Sequence, residues 1–323
     1  MPFFKTPNFD FLRWRWHALA LSAIVLVAGI ALMVTRGGLP MGIDFSGGTI
    51  LIYKFDRPIT EDAVRSAIAA LPGEKIVQSY GRPGENEILI RLPELVTEEG
   101  ASLEAGSRAV DEAVARADLG TPELLSREIV GPVIGRDLQR KGLYATLASL
   151  LGIMVYIAVR FRFSFAVGAI VATFHDILVT LAFLSFFGYE LSLNVVAALL
   201  TITGYSVNDT IVVFDRVREN LRSMRRDALH AVVNRSVNQT LARTIITSGT
   251  TFMAVLALYL FGGEVLHAFA FTMLVGIISG TYSTVFIASA AAIILSNRRG
   301  AARARAAGNA DTARRKDRNV RAS

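Results

Sequence analysis

Six long apolar runs alternate along the chain with segments that are polar or charged. They extend over His17 to Thr35, Leu143 to Val159, Phe165 to Phe187, Leu191 to Phe214, Leu241 to Phe261 and Val265 to Leu295. A bilayer core about 30 Å thick takes about 20 apolar residues of helix, because in lipid only internal hydrogen bonding satisfies the backbone. Each run therefore predicts a transmembrane helix. Lys5, Arg13 and Arg15 precede the first run, as basic residues precede a signal peptide's apolar stretch. The run is longer than such a stretch, however, and Arg36 follows it where a small-residue cleavage site would stand. An uncleaved anchor is predicted.

Between the first two runs the pattern changes. Thr49 to Phe55 is β-rich and follows Gly47-Gly48, while Thr60 with Glu61 and Asp62 reads as the N-cap and acidic first turn of a helix ended by Pro72-Gly73. Lys75 to Tyr80 and Asn86 to Leu92 are predicted as short strands joined by a turn over Gly81 to Glu85. Thr97 to Ala117 is predicted as a helix despite Gly100 and Gly106, and Leu124 to Val130 as a last strand. The order β-α-β-β-α-β is that of the split βαβ, ferredoxin-like arrangement. The predicted fold class is a polytopic α-helical membrane protein with six transmembrane helices and an inserted α+β ferredoxin-like domain. Its divisions are an N-terminal segment (1–16), the first helix (17–35), the inserted domain (36–142), helices two to six (143–297) and a basic tail (298–323) with too little apolar surface to fold alone. Glu98, Glu99, Glu104, Asp111 and Glu112 are expected on the solvated face of a helix, and the small open-edged sheet could pair with an extended polypeptide.

Composition agrees with a membrane class: mean hydropathy is +0.45 and hydrophobic residues make up 52%. The absence of cysteine excludes disulfides, thiolate metal sites and thiol nucleophiles. The histidines His17, His175, His230 and His267 lack H-x-x-x-H spacing, so no metal and no cofactor is expected. The net charge of +7 resides in loops flanking the apolar runs, not interleaved with aromatics, and predicts no nucleic-acid partner.

Those basic residues orient the chain, because lysine and arginine near span ends are retained on the cytoplasmic side. Lys5, Arg13 and Arg15, then Arg160 and Arg162, then Arg216 to Arg235, then Arg298 onward fall on alternate connections, whereas Gly188 to Glu190 and Gly262 to Glu264 carry no basic residue. Both termini are predicted cytoplasmic. The inserted domain, with 17 acidic and 13 basic residues over 36–141, is then periplasmic, since long domains escape the charge rule. The tail is expected to attract anionic lipid.

Ionisable groups at bilayer depth cost about 3 kcal/mol or more and so mark function. His175 and Asp176 lie midway along the third span, Asp209 in the inner part of the fourth and Arg243 just inside the fifth. Helical spacing extends a polar stripe from Asp209 through Asn208, Tyr205, Thr201, Ala198 and Asn194. A second runs from Arg243 through Thr247 to Thr250 or Thr251, and the two stripes are expected to face each other or a water-filled cleft. A structural ion pair between Asp209 and Arg243 is one reading; a proton carrier, released from its pair on protonation, is the other. Gly276 with Gly280, and Ala148 with Gly152, have the spacing of close helix contacts.

G-I-D-F-S-G-G-T at Gly42 to Thr49, H-D at His175 and Asp176, and G-Y-S-V-N-D-T-I-V-V-F-D-R-V-R-E-N at Gly204 to Asn220 occur in that order. N-Q-T-L-A-R-T-I-I-T-S-G-T-T at Asn238 to Thr251 and G-T-Y-S-T-V-F-I-A at Gly280 to Ala288 follow. Together they make the chain similar to the SecF family, the smaller subunits of bacterial SecDF accessory translocases in the resistance-nodulation-division (RND) superfamily. The resemblance implies an inner-membrane subunit, not an enzyme, that pairs with SecD to complete a twelve-span unit. It further implies work with the SecYEG channel and the small subunit YajC on a translocating preprotein, driven by the proton-motive force without a cofactor. It implies Asp209 and Arg243 as proton-relay residues and Asp176 as a weaker candidate. An RND-type exporter of lipids or small molecules is the alternative. An intramembrane aspartyl protease fits poorly, because Asp209 stands in V-N-D-T, and a purely structural subunit would not need Asp209 at all.

Overall fold

The computed structural model of the chain describes residues 7–71, 75–81, 84–92 and 101–298. The Pro72-Gly73 stop, part of the Gly81 to Glu85 turn, the start of the helix predicted from Thr97, Glu98, Glu99 and the tail after Arg298 lie outside the described residues.

The elements run α1 (Arg15–Thr35), α2 (Ile43–Ser46), β1 (Gly48–Phe55), α3 (Glu61–Ala67), β2 (Ile76–Tyr80), β3 (Glu87–Leu92), α4 (Ala101–Arg116) and β4 (Pro122–Val130). They continue as α5 (Pro132–Arg160), α6 (Phe163–Phe187), α7 (Leu193–Ser223), α8 (Leu229–Phe261) and α9 (Glu264–Ser283). After α9 a π-helical turn, Thr284–Ala288, leads back into helix as far as residue 298. Six of these helices are long and apolar enough to cross a membrane, and they contain the predicted runs except Leu191 and Ser192 of the fourth, which precede α7.

Three helices outreach their apolar runs. α5 starts at Pro132, not Leu143, with proline at the helix start where its missing N–H costs nothing, so the sheet domain ends at Val130 and not at residue 142. α7 runs on to Ser223 and α8 begins at Leu229. The added turns bury Val217 and Asn220 of α7 against Val232, Val233 and Ser236 of α8; Asn220 Nδ2 donates to Ser236 Oγ at 2.8 Å. Hydropathy ends where lipid ends, whereas a helix ends where its packing does.

The bundle core joins Phe165, Ala166, Ala169 and Ala172 of α6 to Val207, Val213 and Phe214 of α7 and to Val285, Ala288 and Ala292. Close approach depends on glycine, as expected for Gly276 and Gly280: a Cβ on Gly276 would meet Ile202 at 2.4 Å, and one on Gly280 would meet Ser206 at 2.9 Å. Ala148 and Gly152 do not repeat this. Both are exposed, and nothing lies within 4 Å of a Cβ on Gly152, because α5 flanks the bundle with Leu143, Leu147, Leu151 and Val155 turned outward.

The sheet has the order β2-β3-β1-β4 with every neighbouring pair antiparallel. Leu51, Tyr53, Phe55, Ile88 and Ile90 alternate inward and are covered by Val64 and Ile68 of α3 and by Val110 and Val114 of α4. The Thr60 side chain caps α3 by accepting from the Ala63 amide. Glu104 and Glu112 are solvated and pair with Arg108 and Arg116 one turn on, as the helical face predicts. Asp111 is not: it accepts from the Tyr53 hydroxyl and forms an ion pair with Arg127 at 2.5 Å. Burial first, and the adjacent Asp111 second, push the Tyr53 pKa well up.

The Gly42 to Thr49 motif joins the sheet to the bundle. Gly47 and Gly48 take φ of 73° and 125°, which side chains resist, and release the chain from α2 into β1. The Gly42 amide donates to Leu191 O at 2.9 Å, the Leu191 amide donates to Pro40 O at 2.8 Å, and the Leu193 amide at the start of α7 donates to Asp44 Oδ2 at 2.8 Å. Arg91 of β3, nearly buried, forms an ion pair with Glu190 and donates to Met41 O at 2.7 Å and Ser46 Oγ at 3.0 Å. The sheet is thus clamped to the N-terminal end of α7.

At the other end, the Phe9 amide donates to Asn238 Oδ1 at 2.9 Å, and the Asn234 and Asn238 amides donate to Phe9 O. The N-terminal segment therefore lies on the side of the α7–α8 connection, opposite the sheet.

Candidate functional site in the helix bundle

α7 places Asp209 inward, 9% exposed, on the face that meets α8. Thr244 of α8 donates to Asp209 Oδ1 at 2.7 Å, while Oδ2 is buried without a hydrogen-bond partner among the described residues. Buried polar atoms are nearly always paired.

Arg243 does not sit against it. Among the described residues no ion pair within 4.0 Å joins Asp209 to Arg243; the arginine is exposed on α8, yet near enough for its charge to act on the carboxylate. The reason lies in the helical repeat: Arg243 and Thr244 are neighbours, and adjacent positions point about 100° apart. Most of both stripes is exposed in this chain. Asn194, Thr201 and Asn208 of α7 and Arg243, Thr247 and Thr250 of α8 are all exposed, whereas Ala198 is buried and Tyr205 half-buried. Both stripes lie on the outside of this chain. Thr201 and Thr250 fold their hydroxyls back onto carbonyls of their own helix at 2.8 Å, and Thr247 does so onto Arg243 O, which leaves small, methyl-bearing surfaces outward.

A second polar centre lies deeper. Asp176 of α6 is 1% exposed and accepts from Ser206 of α7 at 2.5 Å, from Ser279 at 2.7 Å and Ser283 at 2.6 Å of α9, and contacts His175 Nδ1 at 3.1 Å. His175 Nε2 meets Ser22 of α1 at 2.9 Å. One turn beyond Ser206, Thr210 meets Thr284 in the π-helical turn at 2.9 Å. π-turns inside helices concentrate at functional positions, and this one meets α7 at the residue next to Asp209.

Sequence reasoning found both aspartates but missed Thr244, Ser206, Ser279, Ser283 and Ser22, as well as the Asp44, Arg91 and Glu190 clamp. Ser279 and Ser283 carry a legible signal, since they recur one turn apart on the face that Gly276 and Gly280 bring close to α7. Ser22 carries none; one serine in an apolar run is usually bonded to its own helix.

Comparison with known proteins places this geometry. The protein export membrane protein SecD/SecF C-terminal family model matches residues 110–298, and the SecD/SecF GG motif matches residues 31–59. Protein translocase subunit SecF of Desulfurispirillum indicum is 44% identical over 86% of this chain and 89% of its own length. The subunit of the same name from Escherichia coli O157:H7 is 40% identical over 90% and 89%. The crystal structure of SecDF, a translocon-associated membrane protein from Thermus thermophilus, superposes with a TM-score of 0.79 at 34% identity, covering 92% of this chain and 40% of that one. The chain thus spans less than half of that solved SecDF chain. With the family models matched over residues 31–59 and 110–298 and relatives at 40–44% identity along most of their length, the chain belongs to the SecF family of protein translocase subunits.

Proposed function

We propose that this subunit forms one half of a proton-driven accessory machine that helps a preprotein through the Sec channel and releases it on the outer side. A SecD-type subunit supplies the other half, and SecYEG and YajC are the associated components. The outward stripes of α7 and α8 support the pairing: a row of Asn194, Thr201, Asn208, Arg243 and Thr247 in apolar surroundings is stabilised by a partner helix and not by lipid. The similar Thermus protein, solved as SecDF, points the same way.

The observation that carries the proposal is Asp209, buried, held by Thr244 on one oxygen and idle on the other. A proton arriving at Oδ2 neutralises the carboxylate and weakens its hold on the Thr244 hydroxyl, which frees α7 relative to α8. Arg243, one residue from Thr244, sits on the seam where a partner subunit would close over both. Each proton crossing about 100 mV supplies about 2.3 kcal/mol, enough to bias two packings of this seam by nearly fifty-fold.

Movement of α7 has a route outward. Asp44, Arg91 and Glu190 hold its N-terminal end to the sheet, which we read as a ferredoxin-like lever on the periplasmic side with β2 and β4 as its open edges. Basic residues on the opposite side, with the N-terminal segment docked on α8, support cytoplasmic termini in an inner membrane. The test is preprotein release from membranes carrying Asp209→Asn or Arg243→Ala, with and without an imposed proton gradient. Release that depends on the gradient and is lost in both variants is expected; gradient-dependent release surviving both refutes the relay.

A further inference from the structure

We infer that a basic cavity at the end of α7 remote from the sheet binds the phosphate headgroup of an anionic phospholipid, whose acyl chains lie against the neighbouring helices.

The cavity, of about 510 Å³, lies between the α5–α6 connection and the extension of α7 beyond its apolar run. Arg160 and Arg162 line it from the connection; Arg218 and Arg222, one turn apart, line it from α7. Four guanidinium groups thus border one space. Arg160 is neutralised by Asp215 at 2.8 Å and lies over the Phe161 ring, 5.5 Å from its centroid. Arg162, Arg218 and Arg222 form no ion pair among the described residues, and the adjacent Glu219 is engaged by Arg216 at 2.7 Å. Arg162 also stands at the N-cap of α6, a helix of 25 residues that has no side-chain cap there. A helix N-terminus is itself partly positive, so a cation beside it adds repulsion where an anion would be stabilised. Phosphate, with several acceptor oxygens in the geometry that guanidinium forks match, relieves the three unpaired arginines at once.

The other wall is aromatic. Phe161 and Phe165 each meet Phe214 edge to face, with centroids 5.9 Å and 5.1 Å apart, a rigid floor under the charged rim. Phe165 opens the third apolar run and Phe214 closes the fourth, which puts the cavity at the depth where acyl chains give way to headgroups. Beside it α5 turns Val155 and Val159 outward, the latter 85% exposed, and α6 turns Phe163 outward. A free phosphate would use the arginines alone, whereas a phospholipid uses both the charged rim and this apolar flank. Basic pockets between membrane helices take such headgroups.

Bound there, one phosphate joins the α5–α6 connection to α7. Asp44, Arg91 and Glu190 hold the opposite end of the same helix, so the lipid gives α7 a second anchor. The inference depends neither on Asp209 carrying a proton nor on which side of the membrane the cavity faces.

Native mass spectrometry of the full chain in detergent, titrated with phosphatidylglycerol or phosphatidylcholine, tests it by counting bound lipids. The wild-type protein is expected to hold one phosphatidylglycerol about tenfold more tightly than phosphatidylcholine. Arg218→Gln combined with Arg222→Gln should remove that preference. Arg225→Gln combined with Arg226→Gln, which loses the same charge from exposed positions outside the cavity, should retain it. Equal affinity of the wild type for the two lipids, a measurement that requires no variant, overturns the inference. Equal loss of preference in the two double variants does so as well, because it assigns the effect to a diffuse basic surface. Displacement of the lipid by inorganic phosphate at matching concentration also overturns it, in favour of a site for a soluble anion.

Discussion

Asp176 accepts from three serine hydroxyls and a histidine drawn from three helices, whereas Asp209 accepts from Thr244 alone and leaves Oδ2 idle. Both carboxylates are buried in one bundle, Asp209 on α7 itself and Asp176 on α6 against it. Their difference lies in how many lone pairs are already used. A carboxylate ringed by donors has nothing to gain from a further proton and serves as a joint, while one with a free oxygen can change state. Buried polar networks rigidify when fully satisfied, so the two aspartates divide a stationary task from a variable one within a few turns of helix.

The sharpest way to break this comparison is to neutralise each carboxylate in turn. Asp209→Asn should abolish the whole gradient-dependent part of preprotein release while leaving the thermal unfolding midpoint close to wild type. Asp176→Asn should instead cost about 1–3 kcal/mol of stability, the usual cost of disrupting hydrogen bonds to a buried polar group, read as lowered thermal stability of the detergent-solubilised protein. Identical behaviour of the two variants in both assays would dissolve the distinction.

A smaller effect is expected where the comparison meets the outer domain. Arg91→Ala removes the ion pair to Glu190 and the bonds to Met41 and Ser46, about 1–3 kcal/mol of local stability. Faster hydrogen exchange at residues 41–48 and 190–194 should report it, with exchange at Asp176 and its neighbours unchanged. If α7 transmits motion to the sheet, the same variant lowers release without altering the protonation of Asp209.

The sheet domain supplies the controls, because its ionisable groups titrate in water. Tyr53 has a raised pKa in the folded state, so its contribution is fully present below about pH 10, the unfolded value, and is lost as pH rises beyond it. Tyr53→Phe should flatten that alkaline loss in the unfolding midpoint. Glu61 has a lowered pKa, first through the Ser79 amide and then the Ser79 hydroxyl. Its contribution is present above about pH 4.3 and is lost as pH falls through the folded value. Being exposed, it should give the smallest change of the series: Glu61→Gln slightly flattens the acid limb.

Apolar run length and periodicity determined the six helices and the β-α-β-β-α-β order of the inserted segment, because the bilayer and the strand pleat each impose a period that one chain displays by itself. The isolated positions of Asp176, Asp209 and Arg243 in apolar surroundings were equally legible, since charge in lipid stands out wherever it occurs. Tertiary structure alone decided which of them meet. It set Thr244, and not Arg243, in hydrogen-bond contact with Asp209, brought Ser206, Ser279 and Ser283 from two helices onto Asp176, and tied Asp44 to the start of α7. These contacts depend on the rotation and depth of one helix against another, and those are set by where Gly276 and Gly280 let α9 approach α7, a long-range packing term that no local window of sequence contains.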